Sequence, residues 1–200
     1  AFFAVTKAFH NGLHGGTEAI SKEMLQIFRD TTETNVKNFD TFGDVVMVHD
    51  PQPVGLIGEK STAGGRWIWR CHIDISTPNA QVWDFLKQYV AQYDASVFSM
   101  PDFAQRLPIP QFMVPPSIDP LSDKNRDLSD AEVQAVVERY ELDPERPIIT
   151  QISRFDRLKD PLGVLEAYRL VRRRHDCQLL LAGGGATDDP EGQEVLQEVK

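Results

Sequence analysis

Short strand-like runs at 44–48, 67–71, 95–99, 148–152 and 177–182 alternate with longer stretches of helical apolar spacing. That alternation constrains the fold more than any other feature, because strand–helix–strand units close as right-handed crossovers and place their strands in parallel. The expected class is therefore α/β with parallel sheets. Residues 17–39 carry Ile20, Met24, Ile27 and Phe28 at helical intervals. Val45-Val46-Met47-Val48 is unbroken apolar chain, the pattern of a parallel strand covered on both faces. Thr77-Pro78 is expected to cap a helix whose Val82, Phe85, Leu86 and Tyr89 share one stripe.

Prolines at 101, 108, 110, 115, 116 and 120 then rule out a regular helix and leave room for only an edge strand at 111–114. Beyond them Ser129 and Glu132 have the spacing of a capping box. Strand 148–152 leads to a helix over 161–174, opened by Asp160-Pro161. Strand 177–182 leads to a glycine turn at Gly183-Gly184-Gly185, and a last helix is expected over 191–200. The proline-rich stretch marks a domain boundary near residue 120, giving units 1–120 and 121–200. The chain has no initiator Met and is expected to be an internal piece of a longer protein.

Composition removes several functional classes. With 21 basic and 30 acidic residues the formal charge is −9, which argues against a general nucleic-acid binder, since such a protein needs a basic face; a small anionic ligand needs only a local cluster of cations. No apolar run is long enough to span a bilayer. Cys71 and Cys177 read as buried free thiols of a cytoplasmic protein. His49, Cys71 and His72 match no zinc spacing, and the G-x-S-x-G elbow of serine hydrolases is missing.

Ligands of open α/β sheets sit beyond the carboxyl ends of the strands. Three such ends carry polar groups: His49-Asp50-Pro51-Gln52-Pro53, His72-Ile73-Asp74, and Ser153-Arg154. A carboxylate there accepts bonds from sugar hydroxyls, and an imidazole donates or accepts one. Each also has a plainer reading, with Asp50 and Asp74 capping nearby backbone and His72 a core histidine. Arg154 and Lys159 flank a turn that opens a helix, an arrangement suited to an anionic diphosphate. They read equally well as solvated loop charges.

The strings His-Asp-Pro-Gln-Pro, Trp-Arg-Cys-His-Ile-Asp, Pro-Pro-Ser-Ile-Asp-Pro and Ser-Arg-Phe-Asp-x-x-Lys occur in that order. With them the chain resembles the retaining glycosyltransferases of family 4, and within that family the trehalose synthases of the glycosyltransferring type. The resemblance implies a GT-B architecture. Residues 1–120 would be the later part of an N-terminal, acceptor-side Rossmann-like domain, and 121–200 the first part of the nucleotide-sugar domain. It implies transfer of glucose from a nucleoside diphosphate glucose, UDP-glucose or ADP-glucose, to free glucose, forming trehalose.

Under the same resemblance Arg154 and Lys159 hold the donor diphosphate and stabilise its charge in the transition state. Asp50 and Gln52 bind the acceptor. His72 serves both the acceptor and the transferred carbon. The leaving phosphate takes the acceptor's proton, so no protein nucleophile, metal or cofactor is implied. The family's glycine-rich loop should precede residue 1 and its E-x7-E carboxylates should follow residue 200; Glu191 and Glu198 do not replace them. The piece alone is expected to be inactive. A phosphorylated acceptor would need cations near Asp50, for which Lys60, Arg66 and Arg70 are the nearby choices. A non-catalytic sugar- or nucleotide-binding module is the other alternative, and assembly as a homodimer is left open.

Overall fold

The computed structural model describes residues 1–17, 19–39, 43–184 and 190–200. The chain divides into two compact units, Ala1–Asp119 and Pro120–Lys200. In the first unit four strands, β1 (Val45–His49), β2 (Arg66–Arg70), β3 (Ala95–Phe98) and β4 (Gln111–Met113), form one sheet in that order, all parallel. The register sets His49 beside Arg70 and Arg70 beside Val97, so the carboxyl ends of β1 to β3 fall level.

Helices α1 (Phe2–Leu13), α2 (Lys22–Asn38), the single turn α3 (Lys60–Ala63) and α4 (Ala80–Val90) complete the unit. Their apolar stripes meet in an aromatic cluster. Phe9, Phe28 and Phe85 stand 5.3–5.6 Å apart by ring centroid, with Tyr89 against Phe28 and Phe85. Trp67 and Trp69 of β2 are buried in the same core. Each indole N–H finds a carbonyl, Gly64 at 2.8 Å and Asp50 at 3.0 Å, as buried tryptophan requires.

Three expectations are corrected here. Helix α1 lies outside the expected elements, although Val5, Phe9 and Leu13 recur every fourth residue on its buried side. The cap of α4 is Asn79 rather than Thr77-Pro78: its Oδ1 accepts the N–H groups of Gln81 and Val82, at 3.0 and 3.3 Å. Strand β1 is not covered on both faces. Val48 is buried, but Val45 and Met47 are 58% and 47% exposed, because only one face of the strand turns toward the aromatic core.

The second unit has a two-stranded parallel sheet, β5 (Ile148–Ile152) beside β6 (Gln178–Ala182). Around it are α5 (Asp130–Arg139), α6 (Pro161–Arg172) and α7 (Pro190–Val199). The capping box forms as the spacing predicts: Ser129 Oγ accepts the Glu132 N–H, and Glu132 Oε2 accepts the Ser129 N–H at 2.9 Å. Arg126 forks onto Glu132 at 2.6 and 3.3 Å. Helix α6 stops at Arg172, two residues short of the expected end. Gly185 of the predicted glycine turn lies outside the described residues. No helix among the described residues is long and apolar enough to cross a membrane.

Candidate functional site

Asp50 follows β1 in a left-handed conformation, φ 63°. The residue before a proline ordinarily avoids helical φ/ψ, and a non-glycine residue in this region is strained by about 1–3 kcal/mol. Three bonds hold it there. Its N–H donates to the Arg70 carbonyl at 2.8 Å, its carbonyl accepts the Trp69 indole at 3.0 Å, and its Oδ1 accepts the His72 N–H at 2.8 Å. Asp50 thus caps neighbouring backbone, while its Oδ2 makes no hydrogen bond to another described residue.

That clamp brings the ends of β1 and β2 together. His49 Nδ1 lies 2.7 Å from His72 Nε2, with ring planes within 11° and centroids 5.0 Å apart. Both imidazoles are exposed, so His72 is no core histidine. They line a pocket of about 480 Å³ whose other polar groups are Arg70 and Ser117, beside Met47, Val97 and the Val114-Pro115-Pro116 segment. Its size suits a small ligand. Neither Asp50 nor Gln52 lines it; Gln52 sits half-buried in the turn after Asp50.

Arg70 is 7% exposed. Its Nη2 donates to the Val114 carbonyl at 2.9 Å and to Ser99 Oγ at 3.3 Å, fixing the start of the Pro115-Pro116 segment. Its Nη1 is buried without a partner among the described residues. The other two cations expected near Asp50 are elsewhere. Lys60 and Arg66 both reach Asp94, at 3.0 and 3.6 Å, just before β3. Asp94 is held below the usual carboxylate range chiefly by the Trp67 N–H. The strand's direction explains the split: Arg66 opens β2 and Arg70 closes it.

Asp74 caps its own turn. Bonds from the Ser76 hydroxyl and N–H hold its carboxyl below the ordinary range. Burial pushes the Cys71 thiol up to about 12, far from the thiolate that metal binding or nucleophilic attack needs. Among the described residues no group of three or more His, Cys, Asp or Glu side chains gathers as a metal site.

In the second unit Arg154 follows β5; its side chain is 61% exposed and stands 3.5 Å from Asp156. Lys159 ends a short 3-10 turn, exposed and in no ion pair among the described residues. The cap that opens α6 forms as the sequence predicts. Asp160 caps it in a left-handed conformation and accepts the Gly163 N–H at 3.0 Å, while Pro161 brings no N–H at all. The first-turn donors of α6 are therefore largely used or missing, and the helix terminus offers little to an anion. The two cations remain.

Arg157, between them, is committed elsewhere. It forks onto Glu198 of α7 at 2.7 and 3.1 Å, and its N–H reaches Glu191 at 3.4 Å. Glu191 and Glu198, seven residues apart, lie on one side of α7, and this is what that spacing signals. Gly183 is required by its own chain: a Cβ there would stand 1.8 Å from the Ser153 carbonyl.

Each unit carries a parallel sheet, and the chain has the α/β architecture of GT-B proteins. The same architecture is found in the crystal structure of an α,α-trehalose-phosphate synthase (UDP-forming) from Burkholderia xenovorans in complex with glucose-6-phosphate. The TM-score is 0.63 at 15% identity, covering 96% of this chain and 51% of that one. Residues 1–105 match the family described as trehalose synthase, N-terminal domain. The chain belongs to that family. It is 46% identical over 196 residues to a trehalose synthase of Thermococcus litoralis, covering 96% of this chain and 47% of the relative. With a trehalose synthase of Rubrobacter xylanophilus it shares 45% over 200 residues, 96% of this chain and 48% of the relative. The chain thus spans about half the length of the curated relatives it matches.

Proposed function

We propose that the full-length protein is a retaining glucosyltransferase that moves glucose from UDP-glucose or ADP-glucose to free glucose, forming trehalose. The observation that carries this reading is the pocket where His49, Arg70 and His72 converge beyond the carboxyl ends of β1 and β2. The likeness to trehalose synthases over 96% of the chain supports it, as does the UDP-forming activity in the name of the Burkholderia xenovorans neighbour.

In this reading Arg154 and Lys159 bind the donor diphosphate and stabilise the charge that grows on it, often the largest catalytic contribution. Asp50, Gln52 and His72 position the acceptor, and His72 also lies by the transferred carbon. The bond from the sugar's anomeric carbon to phosphate breaks as the bond to the acceptor oxygen forms on the same face. The acceptor's proton passes to the leaving phosphate. No metal or cofactor takes part. The reading includes a cytoplasmic location and no turnover by the 200-residue chain alone.

A second acceptor is favoured by one observation. Arg70, buried in the pocket with Nη1 unpartnered among the described residues, is the kind of cation a phosphorylated sugar would engage. Both are tested together by incubating the full-length protein with UDP-glucose or ADP-glucose and labelled glucose or glucose-6-phosphate, then identifying products by NMR. An α,α-1,1 disaccharide from free glucose supports the first reading, and product only from the phosphate supports the second. Nucleotide binding without product overturns both.

A further inference from the structure

The 2.7 Å contact between His49 Nδ1 and His72 Nε2 permits only one proton between the two nitrogens. One ring donates and the other must accept, since two imidazoliums, or two bare nitrogens, would repel. The choice follows from the chemistry of imidazole, whose neutral form favours the proton on Nε2. If His72 donates from Nε2, His49 accepts at Nδ1 and both rings keep the favoured tautomer. If His49 donates from Nδ1, both rings are forced into the disfavoured one.

We propose that His49 is a positioning residue: it accepts the His72 Nε2 proton, locking His72 with Nδ1 bare and available to accept a hydroxyl hydrogen of the sugar. The inference rests on the sugar-transfer reading only for the identity of the ligand. The frame around the pair fits the role. Asp50 Oδ1 holds the His72 backbone N–H at 2.8 Å, so the ring's anchor is fixed as well as its outer nitrogen. Arg70 in the same pocket offers donors only, and the bare Nδ1 adds an acceptor. A hexose hydroxyl both donates and accepts, and such a lining orients it. His49 therefore acts through His72 and needs no contact with the sugar.

The test uses the full-length protein labelled with 15N-histidine. Long-range 15N–1H spectra report the tautomer of each ring, and loss of one signal set in His72→Gln assigns that residue. The expected result is a protonated Nε2 and a bare Nδ1 on His72. His49→Asn keeps an acceptor where Nδ1 stood and is expected to preserve the tautomer. His49→Phe is expected to give a mixture and to lower kcat roughly tenfold, with KM for the nucleotide sugar changed by no more than about twofold. A protonated Nδ1 on His72 in the unsubstituted protein, or an unchanged tautomer in His49→Phe, overturns the proposal. A locked tautomer in a protein that forms no disaccharide supports the pair and overturns the transferase reading instead.

Discussion

The Asp50 carboxylate accepts the backbone N–H of His72 at 2.8 Å, joining the turn after one strand to the turn after the next. The bond costs strain, since Asp50 sits at φ 63° ahead of Pro51. It fixes the two imidazoles whose contact shapes the pocket.

Two substitutions separate the frame from the chemistry. Asp50→Asn keeps an oxygen acceptor and tolerates left-handed φ, so stability should fall by less than about 1 kcal/mol. Asp50→Ala loses the acceptor and keeps the strain, and should cost about 2 kcal/mol. Urea unfolding of the full-length protein checks both. If Asp50 also binds acceptor hydroxyls, Asp50→Asn should raise acceptor KM while leaving the unfolding curve nearly in place.

The donor cations divide by what already holds them. Lys159→Ala removes an exposed charge in no ion pair among the described residues. If it stabilises the diphosphate, kcat/KM for the nucleotide sugar should drop by roughly 10²–10³ with the fold intact. Arg157→Lys instead breaks the fork to Glu198. Its effect should appear as faster amide exchange in α7, with a smaller loss of kcat/KM.

Gly183→Ala is expected to be severe. The added carbon would lie 1.8 Å from the Ser153 carbonyl, a backbone atom that also begins the turn to Arg154. Side-chain motion cannot relieve such a clash, so a loss of about 3 kcal/mol or more is expected. Gly184→Ala meets no described residue within 4 Å and serves as the control in the same thermal unfolding measurement.

The cap of α5 should respond to acid. Arg126 first, then the Ser129 N–H and hydroxyl, hold Glu132 at about 2 against an ordinary 4.5. A depressed folded value means the contribution is fully present above the unfolded value and is lost as pH falls through about 2. Carboxyl NMR titration should show this, and Arg126→Gln should move the midpoint up toward 4.5.

Short-range physics is legible in the sequence alone. The parallel strands declare themselves as apolar runs between turn residues, and the Ser129–Glu132 and Asp160–Pro161 caps involve groups three residues apart or fewer. The polar strand ends at His49-Asp50, His72 and Arg154 are legible too, because within each parallel sheet the carboxyl ends of the strands share one edge. What sequence could not decide depends on register and packing. The His49–His72 contact joins residues 23 apart, and it exists because β1 and β2 end level. Asp94 draws away Lys60 and Arg66, and burial singles out Arg70, only once the strand's two ends are known. The fork that commits Arg157 to Glu198 follows the same rule. A local pattern names the groups present, and the folded chain alone settles which of them are already satisfied.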